Sequence, residues 1–240
     1  MIEIIPAIDI IDGKCVRLTQ GDFAQKTSYH DNPVEVAKAF EDAGIRRLHL
    51  VDLDGARQKH IVNRKVLEDI TRETRLHVDF GGGLQSDQDL DLAFASGAKQ
   101  ITGGSIAVND PELFKTWIGK YGKESIILGA DCKDGMIAVS GWQELTQISV
   151  FKLIEDYKIQ GIKYVICTDV SKDGKLAGPS FQLYKEIRNK FPHIKLIASG
   201  GVTTMDDILK LQEIGVFGAI IGKAYYEGKI KLSDLKRFLV

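Results

Sequence analysis

Two aspartates separated by half the chain carry the first chemical signal. Asp9 and Asp131 each follow a short apolar run, and 122 residues separate them. The same offset relates Asp12-Gly13 to Asp134-Gly135. Two carboxylates facing one cavity can act as general acid and general base, provided that their surroundings keep one protonated and the other ionised. The alternative is that each aspartate only caps a loop or the following helix.

Glycine-rich turns repeat at a similar spacing. An offset of 118 residues takes Gly82-Gly83 to Gly200-Gly201 and Gly104 to Gly222. Glycine lets a backbone approach a ligand closely, and the N–H groups at the start of a helix bind phosphate. Two such turns on opposite sides of a cavity predict a small-molecule substrate with a phosphate at each end. The alternative is that these glycines only make tight turns.

The elements that must position these residues alternate between strand and helix. Helix starts are predicted at Asn32-Pro33, Ser86, Ser180 and Thr204, each of which offers a capping side chain. Alternating strands and helices favour either a closed parallel barrel or a long doubly wound sheet. The predicted strands are residues 2–8, 47–52, 76–80, 100–102, 125–130, 163–168, 195–198 and 217–221.

The internal repeat decides between the two architectures. A repeat of about 120 residues with four strands per half predicts a single (β/α)8 TIM barrel over residues 1–240, built from half-barrels of about 1–122 and 123–240. Strands one and five then face each other, with Asp9 and Asp131 ending them. Active sites of such barrels lie at the carboxyl ends of the strands, often with a phosphate site after strands seven and eight.

Further candidates surround this pair of aspartates. Thr168, Asp169 and Asp173 lie at and after the sixth strand, where they are suited either to holding sugar hydroxyls and orienting Asp131 or to forming a turn. Trp142 is suited to stacking on a planar ligand or to packing in the core, and His49 to facing the barrel interior as a core histidine. The predicted substrate-binding residues are Gly82, Gly83, Gly104, Ser105, Trp142, Asp173, Gly200, Gly201, Gly222 and Lys223.

Composition excludes several other classes of protein. The 240 residues include 32 basic and 33 acidic side chains, so no net field favours nucleic acid or a membrane surface. Cys15, Cys132 and Cys167 form no CxxC pair, and no metal-ligand spacing is present. No signal peptide or membrane span is visible, and we expect a cytoplasmic protein.

Taken together, the motifs resemble one known family along nearly the whole chain. The family is the ProFAR isomerase of histidine biosynthesis, which converts a phosphoribosyl aminoaldose, phosphoribosylformimino-aminoimidazole carboxamide ribotide, to its phosphoribulosyl isomer. The resemblance implies a cofactor-independent and metal-free Amadori rearrangement, with Asp131 as general acid, Asp9 as general base and Thr168 as a third catalytic residue. The matching segments are residues 5–14 (IPAIDIIDGK), 49–56 (HLVDLDGA), 81–83 (GGG), 130–131 (AD), 140–142 (SGW), 168 (T), 172–174 (KDG) and 199–201 (SGG).

The sequence departs from this family's usual pattern at two positions, and it leaves three alternative functions open. The family usually has arginine where this chain has Gln85 and Lys223. The sister barrel, the cyclase subunit of imidazole-glycerol-phosphate synthase, usually reads Cys-Leu-Asp at residues 7–9 and has an aspartate in place of Thr168, so both positions favour the isomerase. A dual-substrate isomerase that also accepts phosphoribosylanthranilate is a second alternative, and a non-catalytic phosphosugar-binding barrel is a third. We expect a monomer with no obligate protein partner.

Overall fold

The computed structural model describes residues 1–239, and Val240, the last residue of the predicted second half-barrel, lies outside them. Among the described residues no helix is long and apolar enough to cross a bilayer. The strands are β1 (Glu3–Ile11), β2 (Lys14–Thr19), β3 (Asp22–His30), β4 (Arg47–Asp52), β5 (His77–Gly81), β6 (Gln100–Gly103), β7 (Ile126–Gly129), β8 (Cys132–Lys133), β9 (Met136–Val139), β10 (Glu144–Ser149), β11 (Tyr164–Thr168), β12 (Lys195–Ser199) and β13 (Gly218–Ile221).

Eight parallel strands close into a barrel. Their order around the ring is β1, β4, β5, β6, β7, β11, β12 and β13, and β13 pairs back to β1. Each predicted strand begins and ends within one residue of the observed one, except at the carboxyl end of β1. The prediction of a (β/α)8 TIM barrel is therefore confirmed, and β1 and β7 stand opposite each other in the ring.

Helices follow the barrel strands and cover the outside of the barrel. Their apolar faces and the outward faces of the strands form one large core, while a smaller cluster that includes Ile5, Ile127 and Ile197 fills the barrel interior. The helices are α1 (Pro33–Asp42), α2 (Leu53–Gln58), α3 (Arg64–Glu73), α4 (Asp87–Ala95), α5 (Ser105–Asn109), α6 (Pro111–Tyr121), α7 (Val150–Ile159), α8 (Phe181–Lys190), α9 (Met205–Ile214), α10 (Lys223–Tyr226) and α11 (Leu232–Leu235), with a 3₁₀ turn at Lys236–Phe238.

Three of the four predicted helix caps are confirmed. Asn32, Ser86 and Thr204 each accept a hydrogen bond from a backbone N–H in the first turn of the following helix. Ser180 occupies the corresponding position before α8 but makes no such bond. Its hydroxyl instead donates to the carboxylate of Asp169, because that carboxylate needs donors in the loop that follows β11.

The prediction that Asp9 ends the first strand is wrong. β1 continues to Ile11, because Asp9, Ile10 and Ile11 pair with the antiparallel strand β2, which pairs in turn with β3. A second unpredicted sheet, formed by β8, β9 and β10, occupies the corresponding region of the second half. These sheets extend over the carboxyl end of the barrel, so they bring additional side chains to the region where Asp9 and Asp131 lie.

The turns that open these two sheets have the same conformation. Asp12 and Gly13 have φ values of 52° and 73°, and Asp134 and Gly135 have values of 51° and 77°. Two consecutive positive φ values are typical of the tight turns that join antiparallel strands. The repeat seen in the sequence thus has a structural counterpart at this point, while the division into half-barrels near residue 122 stays a prediction.

Candidate active site

The two predicted catalytic aspartates lie at the carboxyl end of the barrel. Asp9 pairs with Val51 of β4 and with Val16 of β2, so its backbone is fixed by hydrogen-bonded strands on both sides. Asp131 lies two residues beyond β7 and just before β8. Burial raises the pKa of both carboxyl groups. Both are therefore suited to proton transfer at pH values above the ordinary range of an aspartate.

Asp9 is paired with a buried arginine. Arg17 Nη1 lies 2.9 Å from Asp9 Oδ2, and the side chains of the two residues are only 9% and 13% exposed. The guanidinium and, more weakly, His49 lower the pKa of Asp9 against the larger effect of burial. The ion pair favours the ionised form of Asp9, which is the form that a general base needs.

Arg17 was not predicted from the sequence. It lies on β2 with Cys15 and Leu18, in a strand that is otherwise mostly apolar and buried. The Asp12-Gly13 dipeptide between two apolar runs was a usable hairpin signal, and a hairpin there returns the chain over the end of the first strand. A basic residue in that returning strand was then a candidate partner for Asp9.

Asp131 has neutral partners instead of a charged one. The indole Nε1–H of Trp142 donates to Asp131 Oδ2 at 2.8 Å, and the hydroxyl of Thr168 also hydrogen-bonds the carboxylate. Burial raises the pKa of Asp131, and these two hydrogen bonds together with the charge of His49 lower it. Within residues 1–239 no guanidinium contacts Asp131, so it lacks the ion pair that favours ionisation of Asp9.

The three residues predicted after the sixth strand separate into different roles. Thr168 contacts Asp131, as described above. Asp169 accepts hydrogen bonds from the backbone and side chain of Ser171 and from Ser180, so it fixes the loop and does not face the cavity. Asp173 is buried, with Oδ1 at 3.8 Å from Arg17 Nη2. Burial raises the pKa of Asp173 to about 6.

A cavity opens at the predicted phosphate site after β12 and β13. Arg17 and Lys223 provide positive charge on its wall, and Asp173 lies beside them. Gly222 packs against the guanidinium, since a Cβ at that position would lie 2.5 Å from Arg17 Nη2. The other residues that line the cavity are Gly174, Leu176, Ser199, Gly200, Gly201, Val202 and Ile220. An anion in this cavity would meet two cations and the backbone of a glycine turn.

Neighbouring backbone leaves no room for a side chain at Gly82-Gly83 or at Gly200-Gly201. Gly82 and Gly83 have φ values of 95° and 80°, and added Cβ atoms would lie 2.2 Å and 2.4 Å from the carbonyl oxygens of Asp52 and His60. At Gly200 and Gly201 the corresponding distances, to the carbonyl oxygens of Asp169 and Gly178, are 2.8 Å and 2.4 Å. A side chain at residue 83 or 201 would therefore meet the adjacent loop before it met a ligand.

The other predicted phosphate turn, after β5 and β6, is covered by a loop. Gly104 precedes α5, and the hydroxyl of Ser105 accepts a hydrogen bond from the backbone N–H of Ser140 at 2.9 Å. Ser140, Gly141 and Trp142 all have positive φ, an uncommon run that includes two residues other than glycine. This strained segment connects Ser105 to Asp131 through the indole of Trp142.

Comparison with known proteins places the chain in a family. A family model described as "Histidine biosynthesis protein" matches residues 3–231. The chain belongs to this family. It is 64% identical over 238 residues to a protein of Cytophaga hutchinsonii, covering 99% of both chains, and 61% identical over 239 residues to one of Bacteroides thetaiotaomicron, covering 100% of both. Both relatives are named 1-(5-phosphoribosyl)-5-((5-phosphoribosylamino)methylideneamino) imidazole-4-carboxamide isomerase.

Two positions in this member of the histidine biosynthesis family differ from the expected arginines. Lys223 lines the cavity and keeps a positive charge there, without the two parallel donors of an arginine. The backbone N–H of Gln85 donates to Asp89, which fixes the start of α4. Among residues 1–239 no group of three or more histidine, cysteine or acidic side chains is arranged to hold a metal ion.

Proposed function

We propose that the chain is an aldose–ketose isomerase that performs the Amadori rearrangement of the phosphoribosyl aminoaldose ProFAR. The product is the corresponding phosphoribulosyl aminoketose. The observation that carries the proposal is the opposed pair Asp9 and Asp131, one beside a guanidinium and the other beside neutral donors. The names of the full-length relatives support the same substrate.

The different surroundings of the two aspartates support one assignment of roles. Asp131, without a cation in contact, supplies a proton to the ring oxygen of the ribose as the bond from that oxygen to C1 breaks. Asp9, ionised beside Arg17, then takes the proton from C2 of the open-chain iminium. The resulting enaminol becomes the ketone when C1 is protonated and the C2 hydroxyl loses its proton. Hydrogen has moved from C2 to C1 without net oxidation, so the proposal needs no redox cofactor.

The two glycine-rich ends of the site are suited to a bisphosphate. We assign one phosphate to the cavity formed by Gly201, Gly222 and Lys223, where Arg17 adds a second cation. The other phosphate belongs to the turn at Gly83 and the start of α5, after displacement of the loop that carries Ser140. Trp142 belongs to the same loop and is suited to stacking on the planar imidazole ring between the phosphates.

We also propose that one chain is sufficient for this reaction. Both aspartates and both glycine-rich turns belong to a single barrel, which supports this proposal. The predicted monomer and the predicted cytoplasmic location stay predictions. Thr168 is a hydroxyl bonded to Asp131 and is a poor acid at neutral pH, which favours the isomerase over the cyclase alternative.

A substrate comparison tests the proposal. The purified chain should convert ProFAR, followed by its ultraviolet change, without ammonia, glutamine or a second protein. The cyclase alternative predicts the opposite result, in which ProFAR is untouched and the phosphoribulosyl compound plus ammonium yields imidazole-glycerol phosphate. Binding of both compounds without turnover would support the non-catalytic alternative, and phosphoribosylanthranilate assayed in parallel decides the dual-substrate one.

A further inference from the structure

The interior of the barrel is polar on one side and apolar on the other. The inward side chains of β7, β11 and β12 include Ile127, Ile166 and Ile197, which pack together below the active site. The facing strands β4, β5 and β6 instead carry polar and charged side chains. These are Arg47, His49, His77, Asp79, Gln100 and Thr102. Buried polar groups in a barrel core need partners, so their contacts indicate what they do.

Three of these residues form a hydrogen-bonded chain across neighbouring strands. Thr102 Oγ1 donates to Asp79 Oδ1 at 2.6 Å, and Asp79 Oδ2 lies 2.6 Å from His49 Nδ1. The side chains of His49 and Asp79 are only 14% and 8% exposed. The hydroxyl of Thr102 and the ring nitrogen of His49 thus each contact one oxygen of the Asp79 carboxylate. The contact with Asp79 raises the pKa of His49 against the opposing effect of burial.

The position of His49 places it beneath the catalytic pair. In the strand register His49 pairs with Ala7, and the next inward residue of β1 is Asp9. Burial acts to lower the pKa of His49, but the carboxylates of Asp79, Asp9 and Asp131 together raise it. His49 in turn lowers the pKa of both Asp9 and Asp131. Arg17 lowers the pKa of Asp9, whereas His49 lowers the pKa of both Asp9 and Asp131.

We propose that His49, held by Asp79 and Thr102, is a positioning residue that fixes the charge balance of Asp9 and Asp131 from the floor of the active site. It does not touch the substrate and acts through the two carboxyl groups. Its imidazolium keeps Asp9 available as a base at neutral pH despite burial. The expected change in the pH profile of kcat rests on the proposed isomerase function. The effect of His49 on the pKa values of the two aspartates does not.

The sign of the expected effect follows from the roles of the two aspartates. Turnover is lost as pH falls through the pKa of the base Asp9 and as pH rises through the pKa of the acid Asp131. Loss of the positive charge at residue 49 raises both pKa values. The whole bell-shaped profile of kcat against pH therefore moves to higher pH. Because a charge within a few ångströms typically shifts a pKa by about 1–3 units, we expect a displacement of about one pH unit.

Two substitutions at different residues should produce the same displacement. His49→Gln removes the cation directly, and Asp79→Asn removes the carboxylate that keeps His49 protonated. The double variant should move the profile no further than either single variant, because both act on one charge. His77→Gln is the matched control, since burial first and Arg47 second lower the pKa of that inward-facing histidine. It is uncharged at neutral pH, so its removal should leave the profile in place.

A measurement on the folded protein without substrate keeps the inference separate from the proposed reaction. Nitrogen-15 NMR of the histidine rings should show His49 still protonated at pH 7.5, with His77 neutral. Carbon-13 titration of the carboxyl groups should show a higher pKa for Asp9 in the Asp79→Asn variant than in the wild type. A neutral His49 at pH 7.5, or variants that lose kcat with an unmoved pH profile, would overturn the proposal and leave His49 a packing residue.

Discussion

Asp173 is a buried carboxyl group whose ionisation should cost the protein stability. Burial raises its pKa from the ordinary 3.8 to about 6, with Asp9 and Asp131 adding to the increase and Arg17 and Lys223 opposing it. A carboxyl group whose pKa is higher in the folded state than in the unfolded state lowers the free energy of unfolding when it ionises. Its stabilising contribution is fully present below the pKa of the unfolded state and is lost as pH rises through the pKa of the folded state. Asp173→Asn removes this loss, and the gain should be about 1.5 kcal/mol at pH 5 and about 3 kcal/mol at pH 7.5.

Urea unfolding of the wild type and the variant at these two pH values measures the gain directly. The same variant should lose activity, because Asp173 faces the cation that holds Asp9, and functional sites commonly reduce stability. Asp31→Asn is the control, since its exposed carboxylate has a pKa lowered by Lys14 and should show no such gain. A variant that is no more stable at pH 7.5, or whose gain is equal at both pH values, would refute the reasoning.

Further predictions concern packing, the buried ion pair and metal dependence. Gly83→Ala and Gly201→Ala should lower the melting temperature, because each added Cβ would lie 2.4 Å from a backbone carbonyl oxygen. Gly104→Ala is the control and should not lower it, because the added Cβ would lie 4.0 Å from its nearest neighbour. Equal effects of all three substitutions would contradict this prediction. Arg17→Met should cost about 3–5 kcal/mol of unfolding free energy, and clearly less in an Asp9→Asn background; additive losses would count against the pair. Incubation with EDTA should leave the isomerase rate unchanged, and a loss restored by metal would contradict a metal-free reaction.

The barrel strands were readable from the sequence because each is buried on both faces. A strand such as Tyr164–Thr168 presents an almost unbroken apolar run, which distinguishes it from the amphipathic helices on either side. The half-chain repeat then selected the closed barrel over an open sheet. The opposed positions of Asp9 and Asp131 followed from that topology and did not require knowledge of any side-chain contact.

The sequence did not reveal which residues the loops bring to the site. Arg17 lies on a hairpin that the Asp12-Gly13 dipeptide indicates, but its contact with Asp9 depends on the pairing of β1 with β2, which extends the first strand beyond its predicted end. The glycine turns were assigned to ligand approach, whereas the carbonyl of His60 packs where a side chain at Gly83 would lie. Both facts depend on side-chain and backbone contacts between separate elements, which the spacing of apolar residues does not specify.

The proposed function depends on proton transfer by Asp9 and Asp131. Its most direct test is the rate of ProFAR conversion by Asp9→Asn and Asp131→Asn, each compared with a nearby exposed aspartate changed in the same way. Asp12→Asn and Asp134→Asn are the matched controls, since both residues are exposed and lie three positions beyond the respective catalytic aspartate.

General acid and base groups typically contribute about 10²–10⁴-fold, so each catalytic variant should lose at least about 100-fold in kcat while keeping the circular dichroism spectrum of the wild type. The two control variants should stay close to the wild-type rate. A folded Asp9→Asn or Asp131→Asn variant that turns over ProFAR at nearly the wild-type rate would contradict the role of that aspartate.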